Sequence, residues 1–288
     1  MNIYNSLNNR EKGNTLFVIG AGPQLNLLSD EQIKFLENQA TIGVNRVQYK
    51  IKTRYFISAY PSEILLAQRM LPESMLIHLR PIENNIFTDK NIVTIKREIF
   101  NKDIGLNCFL SSSNPIIYTK FNVALAATHL AFILGAYMIV YIGVEQRNAI
   151  HYYDEDMTVK SQIKKDFIFL EKHDPILNID HPYATYKNLV LGLEQNIDDL
   201  SSSPFYTIDH TDTFREYFKF MRKYGLEIYT TKRDSVVFDA GAIYKSIEDF
   251  LVDGKSSANK IEKVKSNLAR SKLWLQQVKS DLDKHKSN

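Results

Sequence analysis

Residues 15–32 read TLFVIGAGPQLNLLSDEQ, an apolar run that ends in Gly-Ala-Gly-Pro and leads into a polar, helix-like stretch. The apolar run predicts a β-strand, and the pairing of Ser29 with Gln32 is a capping box, which predicts the start of a helix. Glycines between a strand and a helix let the backbone approach a bound group closely. We therefore predict that the turn at Gly20 and Gly22 lines a nucleotide-binding site. A tight turn without a ligand is the alternative.

Short apolar runs alternate with longer helical patterns along the rest of the chain. The predicted strands are 15–20, 41–45, 54–60, 74–79, 91–96, 137–144 and 226–231. The predicted helices are 29–39, 61–71, 120–136 and 213–225. Strands that alternate with helices build right-handed βαβ units. We therefore expect an α/β fold of the Rossmann-like type, with a mostly parallel sheet and helices on both faces.

The segment 146–212 departs from this alternation. It is rich in Tyr, His, Asp, Asn and Ser, and it carries only short helical patterns. An excursion of this kind between two sheet units is typical of a lid or a binding insertion. We predict a catalytic domain over 1–250 with a lid-like, acceptor-binding insertion at 146–212, followed by a C-terminal helix over 255–288.

Composition narrows the class of protein. The 288 residues are 44% hydrophobic and 24% charged, with a mean hydropathy of −0.26, as in a globular protein with a sizeable core. The single cysteine, Cys108, excludes an internal disulfide framework and a cysteine-rich zinc site. Residues 1–14 do not resemble a secretory signal, and no apolar run is long enough to span a membrane. We expect a cytoplasmic protein and leave peripheral attachment open.

Several common nucleotide and hydrolase motifs are missing from the chain. The Gly20 turn lacks the third glycine of the dinucleotide fingerprint, since Leu25 stands there, and Asn45 rather than an acid ends the second strand. Both departures disfavour NAD. No phosphate-binding loop ending in Gly-Lys-Ser/Thr, Gly-x-Ser-x-Gly elbow or His-Glu-x-x-His motif occurs. These absences exclude P-loop NTPases, α/β-hydrolases and zincins.

The stretch FVIGAGPQL, residues 17–25, resembles the first strand and loop of the bacterial lipooligosaccharide sialyltransferases of glycosyltransferase family 42. It equally resembles the related motility accessory factors of flagellin glycosylation and their pterin-pyrophosphokinase-like relatives. The block 118–146, YTKFNVALAATHLAFILGAYMIVYIGVEQ, is similar to a later helix and strand of that family, although the family's Ser-Gly pair is absent. Ser58 and Tyr60 stand where the family has an Asn-containing loop.

The resemblance covers roughly residues 15–240 and implies a nucleotide bound at the ends of the strands. The family's second strand ends in a Cys-Asn or similar pair, and the resemblance puts Asn45 at that position. It also implies that Asn122 lies near the loop before the late helix. The nucleotide-contacting residues that it implies are Gly20, Gly22, Pro23, Asn45, Ser58, Asn122, Gly143 and Glu145.

The stretch 209–231 resembles the part of the family that carries its proposed general base, because a histidine, a helix and a strand follow in the same order. The resemblance implies that His210 deprotonates the acceptor hydroxyl, a role that suits imidazole chemically. Asp209 is a candidate to orient the ring. His181 is the rival base, and a solvated histidine that caps the helix is the alternative reading of His210.

The stretch HYYDED, residues 151–156, contains two kinds of candidate. The family enzymes lack a metal and use tyrosines to meet the leaving phosphate, which implies this role for Tyr152 and Tyr153; aromatic packing of a lid is the alternative. Asp154 and Asp156 match an Asp-x-Asp metal-binding pattern. Acidic runs are common on solvated surfaces, so we expect no metal cofactor and leave a divalent ion open.

We expect a metal-independent glycosyltransferase that moves a sugar from a CMP- or UDP-activated donor to a hydroxyl. The acceptor is a glycan, a flagellin-like protein or modified DNA. One alternative is a pterin pyrophosphokinase-like transferase that uses ATP and magnesium. Another is a non-catalytic nucleotide-binding module.

The tail 255–288 differs from the rest of the chain in charge. It holds nine Lys or Arg and three Asp or Glu, which leaves the body with 27 basic and 30 acidic residues out of totals of 36 and 33. Its seam positions repeat at spacings of three and four: Ile261, Val264, Leu268, Ser271, Leu275, Val278 and Leu282. This seam predicts a homo-oligomer built through the tail. The basic faces leave contact with an anionic polymer or a membrane surface open.

Overall fold

Among the residues that the structure describes, nine strands form one sheet. The structure, a computed structural model, describes residues 7, 9–80, 89, 91–99, 116–119, 122–146, 151–173 and 209–255. The strands are β1 (Thr15–Ile19), β2 (Ala40–Val44), β3 (Tyr55–Ser58), β4 (Met75–Arg80), β5 (Ile92–Ile99), β6 (Ile116–Thr119), β7 (Met138–Ile142), β8 (Glu227–Thr230) and β9 (Ile243–Tyr244). They pair in the order β6-β5-β4-β3-β2-β1-β7-β8-β9. Every neighbouring pair is parallel, which confirms the predicted sheet.

Helices connect the strands. The α-helices are α1 (Asp30–Glu37), α2 (Pro61–Met70), α3 (Val123–Ile133), α4 (Tyr152–Glu155), α5 (Met157–His173), α6 (Thr211–Lys223), α7 (Val236–Asp239) and α8 (Ile247–Lys255). Short 3₁₀ turns follow β1 at Pro23–Leu27 and β2 at Asn45–Tyr49. Within the described ranges, none of the helices is both long and apolar enough to cross a lipid bilayer.

The start of α1 follows the predicted capping box. The Ser29 hydroxyl accepts a hydrogen bond from the Gln32 backbone N–H at 3.3 Å, and the Gln32 side-chain oxygen accepts one from the Ser29 N–H at 2.9 Å. These two bonds satisfy amide groups that the helix itself leaves unpaired. The chain therefore turns into α1 at the residue that the sequence predicts.

The sheet divides the core into two layers. Along β1, Leu16 and Val18 face one layer, whereas Phe17 and Ile19 face the other. The first layer also contains side chains of α3, α6 and α7, and the second contains side chains of α1, α2, α5 and α8. Helices therefore cover both faces of the sheet, as predicted, because side chains alternate across a strand and each face buries an apolar set.

The helix α3 is buried along nearly its whole length. Its residues from Ala124 to Ile133 are buried, and the Thr128 hydroxyl lies 2.7 Å from the Tyr141 hydroxyl of β7. His129 is buried in the same helix, and burial lowers its pKa to about 3, so its ring stays neutral at physiological pH. Gly135 follows the helix with a φ of 81°, a left-handed conformation that favours glycine and ends the helix.

The segment 151–173 packs against the second core layer. Tyr152, Tyr153, Ile163 and Phe167 are buried there. Side-chain bonds fix the segment to the body, including one from the Tyr49 hydroxyl to an Asp166 carboxylate oxygen at 2.9 Å. This half of the predicted insertion is thus part of the domain core. The other half, at 174–208, the rival base His181 and the tail from 256 onward lie outside the described residues.

Candidate functional site

The order of the strands singles out one point on the sheet. From β1 the chain builds β2 to β6 on one side, and it then crosses over to place β7, β8 and β9 on the other side. Open α/β sheets bind ligands at such a switch point, beyond the carboxyl ends of the strands. The residues that follow β1 and β7 are therefore the first candidates for a binding site.

The turns after β1 and β7 are in direct contact. The Gly20 N–H donates to the Ile142 carbonyl and the Gly22 N–H donates to the Gly143 carbonyl, both at 2.8 Å. A Cβ atom on Gly20 would collide with the Gly143 carbonyl oxygen, and Gly143 itself has a φ of 65°. The glycines predicted to admit a ligand thus have a structural role here, because they allow the two turns to approach each other.

The carboxylate of Glu145 fills the space beside Gly22. Its Oε1 accepts a hydrogen bond from the Gln24 backbone N–H at 2.8 Å. Its Oε2 has no hydrogen-bond partner among the described residues, and the residue is only 7% exposed. Burial raises the pKa of this carboxyl, against the opposing effects of the hydrogen bonds and of Lys232; Asp234 adds to the rise. Glu145 therefore occupies the part of the turn that would otherwise be open to a ligand.

The side chain of Gln24 connects the ends of three strands through hydrogen bonds. Its Nε2 donates to the Thr231 hydroxyl at 2.8 Å, and its Oε1 accepts from the Gly143 N–H at 3.0 Å. The Thr231 N–H in turn donates to the Tyr141 carbonyl at 3.1 Å. The ends of β1, β7 and β8 therefore form one hydrogen-bonded unit. Neither Gln24 nor Thr231 is predicted from the sequence, because both bonds to Gln24 join residues more than a hundred positions apart.

Asn122 caps the start of α3, and its side chain also contacts the turn after β7. Its Oδ1 accepts hydrogen bonds from the Ala124 and Leu125 N–H groups at 2.9 and 3.2 Å. Its Nδ2 donates to the Gln146 side-chain oxygen at 2.8 Å. Asn122, Gly143 and Glu145, which the resemblance assigns to one pocket, are thus connected in the structure through neighbouring residues.

His210 lies at the start of α6 and is 7% exposed. Its carbonyl accepts the Phe214 N–H at 2.9 Å, and the Phe214 ring packs on Tyr141 of β7 with centroids 6.0 Å apart. The side chain does not cap the helix, so the solvated, capping alternative does not describe it. Asp209 accepts a bond from the Thr211 N–H at 2.8 Å. The helix places His210 at the carboxyl edge of the sheet, on the face that α3 covers.

The two predicted tyrosines pack within the protein. Tyr152 is fully buried, its N–H donates to the Ala21 carbonyl at 2.9 Å, and its hydroxyl donates to the Arg46 carbonyl at 2.7 Å. Tyr153 stacks on His151 with ring centroids 4.8 Å apart, and the Arg46 guanidinium lies 5.1 Å from its ring centroid. Burial raises the pKa of the Tyr152 phenol. These contacts match the packing alternative, and the role at the leaving phosphate stays a prediction.

The residues after β2 and β3 lie farther from the switch point. Asn45 has a left-handed φ of 57° and opens the 3₁₀ turn that follows β2. The next residue, Arg46, forms a buried ion pair with Glu63 at 3.1 Å. Ser58 is fully buried at the end of β3, where its hydroxyl accepts a bond from the Tyr60 N–H at 3.1 Å. The structure thus places Asn45 one strand away from β1 and Ser58 two strands away.

Asp154 and Asp156 of the HYYDED stretch accept backbone hydrogen bonds near the starts of helices. Asp154 accepts the His151 N–H at 2.8 Å; burial would raise its pKa, but the hydrogen bonds and charge of His151 outweigh burial and lower it. Asp156 accepts the Thr158 and Val159 N–H groups at 3.0 and 3.1 Å. Across the described ranges, no cluster of three or more His, Cys, Asp or Glu side chains is arranged to hold a metal ion.

Comparison with known proteins identifies no family for this chain. No model of a protein family matches the chain, and no curated protein matches it either. What the chain does must therefore be inferred from the switch point and from the residues around it.

Proposed function

We propose that the protein is a glycosyltransferase that binds a nucleotide-activated sugar beyond the ends of β1 and β7. The reversal of strand order between these two strands carries the proposal, because doubly wound sheets bind nucleotides at this position. The resemblance to family 42 favours a CMP-activated sugar, and a UDP-activated sugar is the second choice. The acceptor hydroxyl belongs to a glycan, a flagellin-like protein or modified DNA.

The chemistry of glycosyl transfer requires few protein groups. The acceptor hydroxyl attacks the anomeric carbon of the sugar, a base takes the hydroxyl proton, and the nucleotide leaves with the electrons of the broken glycosidic bond. His210 supports this proposal as the base, since it lies at the start of a helix on the carboxyl edge of the sheet. The α3 helix begins at the same edge, and the positive end of its dipole favours a leaving phosphate.

The turn after β1 has few backbone N–H groups available for a ligand. The 3₁₀ turn begins with Pro23, which has no N–H, and the N–H of Gln24 already binds Glu145. A dinucleotide diphosphate normally uses the amides at this position. The arrangement therefore favours a donor whose phosphate lies toward β7 and α3, and it disfavours NAD-type cofactors.

A thermal-shift panel with CMP, UDP, GDP and ATP plus magnesium tests the proposal on the full chain. A ligand at 100 times its Kd adds about 2.7 kcal/mol to the free energy of unfolding. For a domain of this size that is a rise in Tm of roughly 4–5 °C. A rise with CMP or UDP alone supports a nucleotide-sugar enzyme. A rise only with ATP plus magnesium would instead indicate the pyrophosphokinase-like reaction, and no rise with any nucleotide would contradict the site.

A further inference from the structure

A chain of hydrogen bonds fixes which way the Asn122 side chain faces. Backbone N–H groups can only donate, so the Asn122 atom that receives those of Ala124 and Leu125 must be its oxygen. The remaining atom, Nδ2, is then a donor. The Thr119 hydroxyl holds the backbone of Asn122 as well, because it accepts the Asn122 N–H at 3.1 Å and donates to the Asn122 carbonyl at 2.6 Å.

The orientation of Asn122 determines the orientation of Gln146. The donor Nδ2 of Asn122 lies 2.8 Å from the Gln146 side chain, so the atom that it meets must be the Gln146 oxygen. The Gln146 Nε2 therefore points away from Asn122. Gln146 is exposed, and its Nε2 makes no hydrogen bond to any residue that the structure describes. Two N–H donors are thus held outward at the carboxyl edge of the sheet.

The backbone of Gln146 is held in a conformation that glutamine seldom adopts. Its φ is 52°, in the left-handed region. Residues in such conformations cost folding energy and often occur at functional sites. The preceding residue is fixed from the other side, because the Glu145 carbonyl accepts the Val236 N–H at 3.0 Å. The carboxylate of Glu145 is directed toward Gly22 in the turn after β1 and not toward the Gln146 side chain.

We propose that Gln146 binds the ligand of the switch point by donating from Nε2 to a phosphate oxygen of the nucleotide, and that Asn122 is a positioning residue that acts through Gln146. The proposal rests on the proposed function, and it specifies which atom of the protein recognises the donor. The start of α3 favours phosphate over other oxygen acceptors, because the helix dipole is positive there. Asn122, which the resemblance assigns to direct contact, instead sets the direction of the donor.

The first experiment compares Gln146→Glu with wild-type protein by isothermal titration of CMP and of cytidine. Glutamate keeps an oxygen for Asn122 but replaces the outward donor with an acceptor of negative charge. A lost hydrogen bond to a charged group lowers CMP affinity by about 10- to 100-fold, whereas cytidine, which has no phosphate, binds as it does to wild type. Gln39→Glu is the matched control, because it makes the same change next to the start of β2, at the opposite edge of the sheet, and leaves both affinities unchanged.

The second experiment tests the role of Asn122 through a double-mutant cycle. Aspartate caps helices as well as asparagine does, so Asn122→Asp keeps the start of α3. The new carboxylate can only accept, and Gln146 must rotate its amide by half a turn and present its oxygen to the ligand. CMP affinity then falls about 10-fold or more, as for a lost charged hydrogen bond. In a Gln146→Ala background the same change has no further effect, since the coupling runs through Gln146.

The outcomes separate this proposal from the proposed function. Wild-type protein that binds no nucleotide overturns both. Wild-type protein that binds CMP while Gln146→Glu binds it equally well overturns the role of Gln146 alone. A loss of cytidine affinity equal to the loss of CMP affinity overturns the contact with phosphate. A full effect of Asn122→Asp in the Gln146→Ala background shows simple charge repulsion and overturns the positioning role.

Discussion

The Glu145 carboxylate occupies the space in which a side chain on Gly22 would stand. This contact explains why the second glycine of the Gly-Ala-Gly-Pro turn carries no side chain. The glutamate binds the Gln24 N–H at 2.8 Å and in this way holds the turn after β1 against the end of β7. A residue that looks like part of a ligand cradle in the sequence is, in the folded protein, required for contact between two turns.

The first prediction concerns the fit of Glu145 against Gly22. We expect Gly22→Ala to lower the free energy of unfolding by about 1–3 kcal/mol, the usual cost of overpacking a close contact. The cost should be smaller in a Glu145→Ala background, because one of the two colliding groups is then gone, while the Gly143 carbonyl remains. Urea unfolding of the four proteins measures the coupling. Equal costs in both backgrounds would show that Glu145 does not fill this space.

The second prediction concerns pH. Burial raises the pKa of Glu145 in the folded protein above its ordinary value of 4.5. The folded state then binds the proton more tightly than the unfolded state, so this group adds stability below the ordinary pKa and loses that contribution as pH rises through the folded pKa. We expect Glu145→Gln to remove this decline. Urea unfolding of wild-type and Glu145→Gln protein between pH 4 and 8 measures how the free energy of unfolding depends on pH. Parallel curves for the two proteins would contradict the prediction.

The third prediction concerns His210. His210→Gln should lower kcat by about 10²- to 10⁴-fold, the usual effect of losing a positioned base. The Kd for CMP should stay within a factor of about two, since the base acts on the acceptor and not on the nucleotide. Steady-state rates and calorimetry measure the two quantities separately. His151→Gln serves as a control, because His151 also directly precedes a helix, α4. If His210→Gln keeps its rate, the same substitution at His181 tests the rival base.

The fourth prediction concerns metal. Asp154 and Asp156 already accept backbone hydrogen bonds at the starts of α4 and α5. A metal ion would have to compete with these bonds, so transfer should continue at full rate in excess EDTA. The rate assay is repeated with magnesium or manganese added back. Loss of activity that either ion restores would promote the two aspartates to ligands.

The fifth prediction concerns the tail. The apolar seam from Ile261 to Leu282 predicts self-association. Removal of residues 256–288 should therefore reduce the number of subunits in the particle that sedimentation detects. If the basic faces instead hold a polyanionic acceptor, the acceptor KM rises and its dependence on salt weakens. An unchanged number of subunits together with unchanged kinetics would contradict both interpretations.

Local signals in the sequence predict most of the fold. The strand and capping box of residues 15–32 are confirmed, as are seven of the strands and the amphipathic pattern of α6. Two strands are not predicted. Ile116–Thr119 is four residues long and follows a polar, serine-rich stretch, and Ile243–Tyr244 has only two residues, which is too few for a period to be recognised.

The site is less predictable than the fold, because its contacts join distant parts of the chain. Nothing near Gln24 indicates that its amide will bind Thr231, and nothing near Gln146 indicates that Asn122 will orient it. Tyr152 illustrates the same difficulty. Its position after a strand suggests a functional hydroxyl, whereas its actual partner is a carbonyl more than a hundred residues earlier. Such pairings follow from the topology, which local patterns determine only in part.

The central position of β1 affects how the chain folds while it is being synthesised. The chain leaves the ribosome with β1 followed by β2, but the second neighbour, β7, appears about 120 residues later. At synthesis rates of 5–20 residues per second this delay lasts roughly 6–24 s. During that time the side of β1 that will pair with β7 has no partner strand, and an unpaired strand edge is a hazard for aggregation. Fragments that stop before residue 138 should therefore be retained by chaperones or precipitate, whereas chains that continue past β7 close this edge.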